Sequence, residues 1–511
     1  MAVPFVQHAD TTLEHDMAPV AIIDIGSNSG RLVVVQLDLF GHLDVLETEG
    51  TPLRLVHELA TGSLLGEAVA ERTVEALCGF RAIARGAGAN EVVAVATSAV
   101  REAEDGETFI QRLRDRTGLD IEIISGEAEA RYGFLGGVHG IPVQDGVLID
   151  IGGGSVQVVR FRDRRQTKSW SLPLGSLRLS DRFLQSDPPT SSELRRLQDH
   201  VRDALRLAGA PTLGRGEDVV GTGGTVRNLA KLDRASRDYP IRRLHGYSLA
   251  KRPLGDLVKR LAELTGAQRA KVPGLNVTRF DSIVGGAACA HAALDVLGTS
   301  ELIVSGQGLR EGIALSRLGE SLPTTREVRA RSVSALAARF ATWNADLARR
   351  RAKAVVELQQ ALAPELEPEL AETLRHAATL LDIGRSVDFY SRWDHAASMV
   401  LSADLSGFSH RSLALLSATI KSGEKDNGSL KNWAPLLTNA DQPSLARLGA
   451  LLGFADAIAR QLPADTDVDV ACSRANGRLA LQAMGLDPWL LQAALRRIQI
   501  VFGVELELNG R

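Results

Sequence analysis

Two short stretches of this chain repeat each other, and few folds have room for such a repeat. Residues 147–159 read V-L-I-D-I-G-G-G-S-V-Q-V-V: apolar β-formers, Asp150 where the strand should end, three glycines, Ser155, then Val-rich strand again. The pattern predicts a β-hairpin with a tight glycine turn. Glycines there can adopt φ > 0 and let bare backbone approach a ligand. Successive N–H groups in such a turn form an anion-binding concavity, and Asp150 beside it is a candidate carboxylate for a divalent cation. Alone, the stretch is equally a structural hairpin with an incidental Asp. Residues 21–35, A-I-I-D-I-G-S-N-S-G-R-L-V-V-V, shift that balance: laid over 147–161, Asp24 falls on Asp150, Gly26 on Gly152 and Ser29 on Ser155. Two such hairpins predict a duplicated domain whose halves each offer one loop to a shared cleft.

At 511 residues the chain has room for about three domains. Its 24% charged and 44% apolar residues are ordinary for a globular protein, and a formal net charge of -3 gives no global drive towards nucleic acid. An anionic partner must therefore be met by a local patch. Cys78, Cys289 and Cys472 lie far apart without metal-ligand spacing, which predicts idle thiols in a reducing cytoplasm. No apolar run reaches membrane-spanning length, so no membrane partner is expected. Residues 1–17 lack a signal-peptide apolar core and read as a frayed leader.

Along the first part of the chain, strands are expected near 43–47, at 91–96 and at 120–124, with a helix over 66–87 whose Val69, Val74, Leu77, Phe80 and Ile83 recur at helical spacing. The strand E-V-V-A-V-A ends in T-S-A-V-R-E-A, which puts Thr97, Ser98 and Arg101 on the usual ligand side of an open α/β sheet. Arg101 there is either a bidentate phosphate clamp or a solvated helix arginine. In S-G-E-A-E-A-R, Glu127 and Glu129 fall in a helix's first turn. Capping explains them, as does a sharper role for Glu129: orienting and deprotonating a water in the cleft. Residues 172–180 read as a strand running into a turn. V-V-G-T-G-G-T-V-R-N-L-A (219–230) reads as strand, glycine turn and helix start, with Gly221, Gly223, Gly224 and Thr225 as a phosphate loop or a packing turn. A modest basic cluster, Arg242 to Arg260, is either a path for a polyanion or a solvated helix face. Strand 301–305 leads to another glycine loop, Arg310 and a helix. From about 325 glycine thins, and a helical domain with a short β-like end at 501–508 is expected.

Together the blocks D-I-G-S-N-S (24–29), A-T-S-A-V-R-E-A (96–103), I-I-S-G-E-A-E-A-R (123–131), D-I-G-G-G-S (150–155), L-G-S-L-R-L (174–179), G-T-G-G-T-V-R-N-L-A (221–230) and G-L-R-E-G (308–312) resemble the exopolyphosphatase/guanosine pentaphosphate phosphohydrolase family of the acetate kinase, sugar kinase and actin superfamily. The resemblance implies two actin-like (ribonuclease H-like) α/β lobes sharing a cleft, lobe I over 18–137 and lobe II over 138–322. A helical, degenerate HD-like domain follows over 323–511. It implies Mg²⁺-assisted hydrolysis of terminal orthophosphate from inorganic polyphosphate, or of the 5′-terminal phosphate of guanosine pentaphosphate; the large helical tail adds the expectation of a homodimer, and the cysteine usage that of a cytoplasmic protein. Carried over by position, Glu129 is the general base and Asp150 supports the metal or the water, with Asp24 as its counterpart. Gly26, Ser27, Asn28, Ser29, Gly152, Gly153, Gly154, Ser155 and Arg101 grip phosphate, and Gly223, Gly224 and Thr225 add a third loop.

Two departures stand out. Where the family usually has Glu, in D-I-G-G-G-S-x-E, this chain has Gln157, which keeps the size but loses a charge and cannot act as a base. In the helical domain L-L-D-I-G (380–384) replaces the H-D-I-G type of motif, so Leu380 or Leu381 stands for the metal-binding His, and His376, Asp394, His395 and His410 are scattered. These departures keep open a catalytically silent polyphosphate or (p)ppGpp sensor. A small-molecule kinase of the superfamily is a further rival.

Overall fold

The computed structural model describes residues 18–38, 40–319, 321–425, 429–463, 471–475, 478–482 and 486–508, so the leader read at 1–17 lies outside the described residues. The chain forms two compact units: residues up to 237 with 244–328, and residues 238–243 with 329 onward.

The first unit holds two sheets. Strands β1 (Val20–Ile25), β2 (Ser29–Leu37), β3 (Leu43–Pro52), β4 (Glu91–Ala96) and β5 (Ile121–Ile123) form a sheet of order β3-β2-β1-β4-β5. Strands β6 (Gly146–Ile151), β7 (Val156–Arg162), β8 (Arg165–Leu172), β9 (Asp218–Thr222), β10 (Tyr247–Ala250) and β11 (Glu301–Val304) form the second, of order β10-β11-β9-β6-β7-β8. Each sheet is built the same way: β1 pairs antiparallel with β2 and parallel with β4, as β6 does with β7 and β9. The duplicated hairpins thus sit at the same topological place in two sheets. Ala21, Ile22, Ile23 and Ile25 of β1 are fully buried, as expected of a central strand covered on both faces.

The helices of this unit are α1 (Leu55–Thr61), α2 (Gly66–Gly86), α3 (Ser98–Glu102), α4 (Gly106–Thr117), α5 (Gly126–His139), α6 (Ser176–Phe183), α7 (Ser191–Leu207), α8 (Gly223–Ala235), α9 (Lys251–Ala262), α10 (Gly266–Arg269), α11 (Ile283–Leu297) and α12 (Leu309–Ser316). Helix α5 packs Phe134, Leu135 and Val138 on Leu148, Val159 and Val220 of the second sheet, whereas α12 packs Ile313, Ala314 and Leu315 on Ile22, Val33 and Val95 of the first. Where the two helices meet there is no room for a side chain: a Cβ on Gly136 would strike the Gly308 carbonyl, and one on Gly312 the Tyr132 carbonyl. This backbone-to-backbone crossing joins the two halves of the first unit.

Two expectations change. The stretch 172–180 is not strand and turn throughout, because a helix begins at Ser176. Its first N–H groups are taken by the second glycine loop: Ser176 donates to Gly152 O (2.9 Å) and Leu177 to Gly153 O (3.0 Å). The basic run 242–260 does not form one helix face. Arg242 and Arg243 belong to the second unit, where Arg243 is held by Asp404 (2.8 Å), while Lys251 pairs with Asp295 in the first.

Helix α13 (Thr325–Ala338) starts in the first unit and runs into the second, a helical unit that continues with α14 (Ala345–Leu362), α15 (Pro368–Leu380), α16 (Arg392–Ser402), α17 (His410–Glu424), α18 (Gln442–Ala459) and α19 (Pro488–Phe502). Thr324 opens α13 with a reciprocal cap, accepting from Glu327 N–H (3.3 Å) while donating its own N–H to the Glu327 carboxylate (2.8 Å). The β-like end is a strand only at Glu505–Leu508, in a small sheet with Ala471–Ala475 and Arg478–Gln482. Asp382 of L-L-D-I-G is fully buried between Arg351 (2.7 Å) and Arg392 (2.9 Å), and Asp456 closes the group from α18. The scattered histidines part company: His376 faces Glu372, and His410 bonds Tyr239 (2.8 Å). Among the described residues, no helix is long and apolar enough to cross a membrane.

Candidate active site

The two hairpin turns close with the same bond. Gly26 N–H donates to Ser29 O (3.2 Å), and Gly152 N–H donates to Ser155 O (3.0 Å). Each turn is then braced from behind. Asn28 O accepts from Leu53 and Arg54 N–H (3.0 Å each), and Ser27 Oγ meets Ser98 Oγ at 2.8 Å. The carbonyls of Gly152, Gly153 and Gly154 accept from residues 175–178, so they are turned onto α6 and away from an approaching anion.

One pocket is lined by both turns. Gly26, Ser27, Asn28 and Ser29 face Gly152, Gly153 and Ser155, and Asp24 and Asp150 reach in from the strand ends. Glu129 lines it from the first turn of α5, Gly223 and Gly224 from the start of α8, and Arg310 and Glu311 from the start of α12. Three helix N-termini therefore open on the pocket, a field that favours an anion. Glu129, Asp24, Asp150, Gly223 and Gly224 all lie where the sequence reading brings them. Three predicted residues do not line the pocket. Gly154 turns its carbonyl onto Arg178 Nε (3.0 Å), Thr225 packs on Gly286 of α11, and Arg101 stands behind Glu129.

Four arginines line the pocket: Arg31, Arg227, Arg279 and Arg310. Sequence reasoning singled out Arg310 alone, as part of a glycine loop. Arg31 and Arg227 sit inside the quoted glycine motifs and could have been found by asking which cations follow each loop; Arg279, in a short 3₁₀ turn, has no local signal. Their mutual repulsion is visible in their acidities. Burial, then the neighbouring Arg227, Arg279 and Arg310, brings Arg31 down to about 9, and burial with Arg227 brings Arg279 to about 10. A polyanion in the pocket relieves both.

The carboxylates show the opposite strain. Burial raises Asp24, against the pull of Arg310 and Arg31. It raises Asp150 to about 6 and Glu129 to about 7, the latter in spite of Arg101. Asp24 Oδ1 is buried with no hydrogen-bond partner among the described residues. An orphaned oxygen beside a second carboxylate, with oxygen donors throughout, fits a hard cation such as Mg²⁺. That ion is usually held by one or two carboxylates plus phosphate oxygens and water, not by a protein cage. Among the described residues, no three His, Cys, Asp or Glu side chains form such a cage. Gln157, directly across the hairpin from Asp150, is buried and donates to Ser155 Oγ (2.8 Å) and Ser171 Oγ (3.4 Å), so it contributes no charge to this set.

A duplicated α/β core with paired glycine turns at a common cleft defines the actin-like class of phosphate-handling proteins. Within it, the chain belongs to the Ppx/GppA phosphatase family: that family matches residues 33–321, and its domain III matches 328–500. Exopolyphosphatase 1 of Mycobacterium tuberculosis is 30% identical over 318 residues, covering 61% of this chain and 92% of the relative. Among solved structures, the Ppx/GppA family member of Aquifex aeolicus is 30% identical with a TM-score of 0.52, over 59% of this chain and 98% of its own. An exopolyphosphatase from Cytophaga hutchinsonii is 26% identical with a TM-score of 0.55, over 59% of this chain and 97% of its own.

Proposed function

We propose that this chain is an exopolyphosphatase that releases terminal orthophosphate from inorganic polyphosphate. The observation that carries the reading is the Glu129 carboxylate, lining one pocket together with the two glycine turns and four arginines. Relatives named exopolyphosphatase support it. The end of the chain lies on the N–H groups of the two turns, and Arg31, Arg227, Arg279 and Arg310 neutralise its charge. Asp24 and Asp150 would hold Mg²⁺, which would supply Lewis-acid polarisation of the phosphoryl oxygens. Glu129 takes a proton from a water as its oxygen attacks the terminal phosphorus, and the bond to the bridging oxygen breaks, leaving on the shortened chain. Phosphoryl transfer needs mainly positioning and charge stabilisation, which is what this wall of dipoles and cations offers.

The test is orthophosphate release from long-chain polyphosphate and from guanosine pentaphosphate, with Mg²⁺, by wild type and Glu129→Gln. Expected is preference for polyphosphate and a loss of about 10²–10⁴-fold in the variant with chain binding retained. A base works deprotonated. With Glu129 at about 7 in the free protein, log kcat/KM should fall by about one per pH unit below that value and level above it. A Glu129→Gln protein at wild-type rate sinks the base assignment; faster turnover of guanosine pentaphosphate moves the substrate to the alarmone.

A further inference from the structure

We propose that Arg101 is a positioning residue for Glu129 and does not bind the substrate phosphates; the inference rests on Glu129 being the base. Position and chemistry suit Arg101 to a phosphate clamp, and the structure gives its guanidinium other work. Nη1 donates to the Ile124 carbonyl (2.6 Å) and Nη2 to Glu129 Oε2 (3.1 Å). Glu129 lines the pocket and Arg101 does not.

The partners explain why the pairing is stiff. Arg101 ends α3, its own N–H bonded to Thr97 O (3.1 Å). Ile124 follows β5, with its N–H on Ala96 O (3.1 Å), and Ser125 caps α5 by accepting from Ala128 N–H (3.1 Å). One planar guanidinium therefore spans the end of α3, the β5–α5 turn and the carboxylate in the first turn of α5. The carbonyl bond fixes the plane of the fork, and the second arm then fixes Glu129 Oε2. Burial first, then the acids Asp150 on β6 and Asp24 on β1, disfavour the ionised form of Glu129; Arg101, bonded to it, offsets them, while Arg31, Arg227, Arg279 and Arg310 line the same pocket.

The experiment uses the full chain with Mg²⁺ and polyphosphate, comparing Arg101→Met, Arg101→Lys and Glu129→Gln for kcat, KM and the acid limb of the pH profile. For Arg101→Met we expect kcat at pH 7 to fall about fivefold, KM to stay within about twofold, and the acid limb to move up by about one pH unit, since a one-unit rise takes the ionised fraction at pH 7 of a group at about 7 from about one half to about one eleventh. Arg101→Lys keeps the charge and loses the fork, so its limb should stay near wild type while kcat falls less. A large rise in KM with the limb in place would make Arg101 a phosphate ligand and overturn the proposal. In Arg101→Met, a fall in kcat with limb and KM both unmoved would make its role merely structural and overturn it as well. If Arg101→Met does not fold, Arg101→Gln, which also removes the charge, takes its place and is read by the same limb and KM criteria. Wild-type activity in Glu129→Gln is a separate failure, of the base assignment itself.

Discussion

Replacing Arg351 by Met should destabilise the second unit more than any surface change could. Arg351 has no solvent exposure and makes three hydrogen bonds: Nε to Asp456 Oδ1 (2.8 Å), Nη1 to Ala378 O (2.9 Å) and Nη2 to Asp382 Oδ2 (2.7 Å). Arg392 binds the other oxygen of each acid, so two cations and two anions close a neutral ring. Methionine fills much of the volume but leaves two buried carboxylates sharing one guanidinium. Breaking a buried pair in this way costs about 3–5 kcal/mol. At about 2–4 °C per kcal/mol for a domain of this size, the melting temperature of that unit drops by roughly 6–20 °C. The loss should also depend on pH. Burial raises Asp382, yet Arg351 and then Arg392 outweigh it and hold the carboxyl below its usual range. That depressed group stabilises the fold above its unfolded pKa, and the contribution is lost as pH falls through the folded one. Without Arg351 the acid takes up a proton at higher pH, so wild type and variant should converge on acidification. Calorimetry of the full chain from pH 8 down to about 2.5 measures both effects, since the wild-type contribution of Asp382 is lost only below its unfolded value of 3.8. A deficit under about 1 kcal/mol at pH 7, or one that does not shrink in acid, would refute the ring as the unit's structural centre.

Gln157→Glu adds a carboxylate opposite Asp150. Without Mg²⁺ the protein should lose about 1–3 kcal/mol through a poorly satisfied buried charge, and its melting temperature should rise more steeply with Mg²⁺ than that of wild type. Equal Mg²⁺ responses would place position 157 outside the cation's reach. On the first unit, His57 of α1 stands 3.6 Å from Asp181 and 3.9 Å from Asp281, which come from the opposite half. Asp281 first, then Asp181, raises the imidazole against burial and the repulsion of Arg54. A raised histidine stabilises fully below its unfolded value near 6.5 and loses that contribution as pH climbs through the folded one. Asp281→Asn should therefore flatten the fall of melting temperature above pH 6; parallel curves for the two proteins would count against the contact.

What could be seen in the sequence was whatever is local. Strand, glycine turn and strand are set by adjacent residues, so both hairpins and β4 fall where the pattern puts them. Helix α6 escaped because L-P-L-G-S-L-R-L alternates like a strand. Its helical start is imposed from outside, by the loop carbonyls that take its N–H groups and by Leu177 entering the core of the first sheet. The cations of the pocket were legible only where they share a motif with a glycine. The buried ring in the second unit joins residues 31, 10, 64 and 105 positions apart, and no periodicity announces it.

The repeat itself is where sequence and site meet, and its asymmetry carries the chemistry. Asp24 faces Arg31 across one hairpin, and Asp150 faces Gln157 across the other. The turns are equivalent down to the bond that closes them, so both can offer N–H groups to phosphate. The residues seven positions after each Asp cannot play equivalent parts. A cation opposite Asp24 adds to the arginine wall and favours a highly charged anion. On the proposed function, a neutral amide opposite Asp150 would leave the cation to be held by Asp24 and Asp150 with the substrate's own oxygens, which would tie metal affinity to the presence of the chain. If so, Mg²⁺ should bind wild type measurably tighter with polyphosphate present, and that coupling should weaken in Gln157→Glu, where the added carboxylate holds the ion without help. Calorimetric titration of Mg²⁺ with and without a non-hydrolysed chain separates the two cases, and coupling of the same size in both proteins would remove Gln157 from the account.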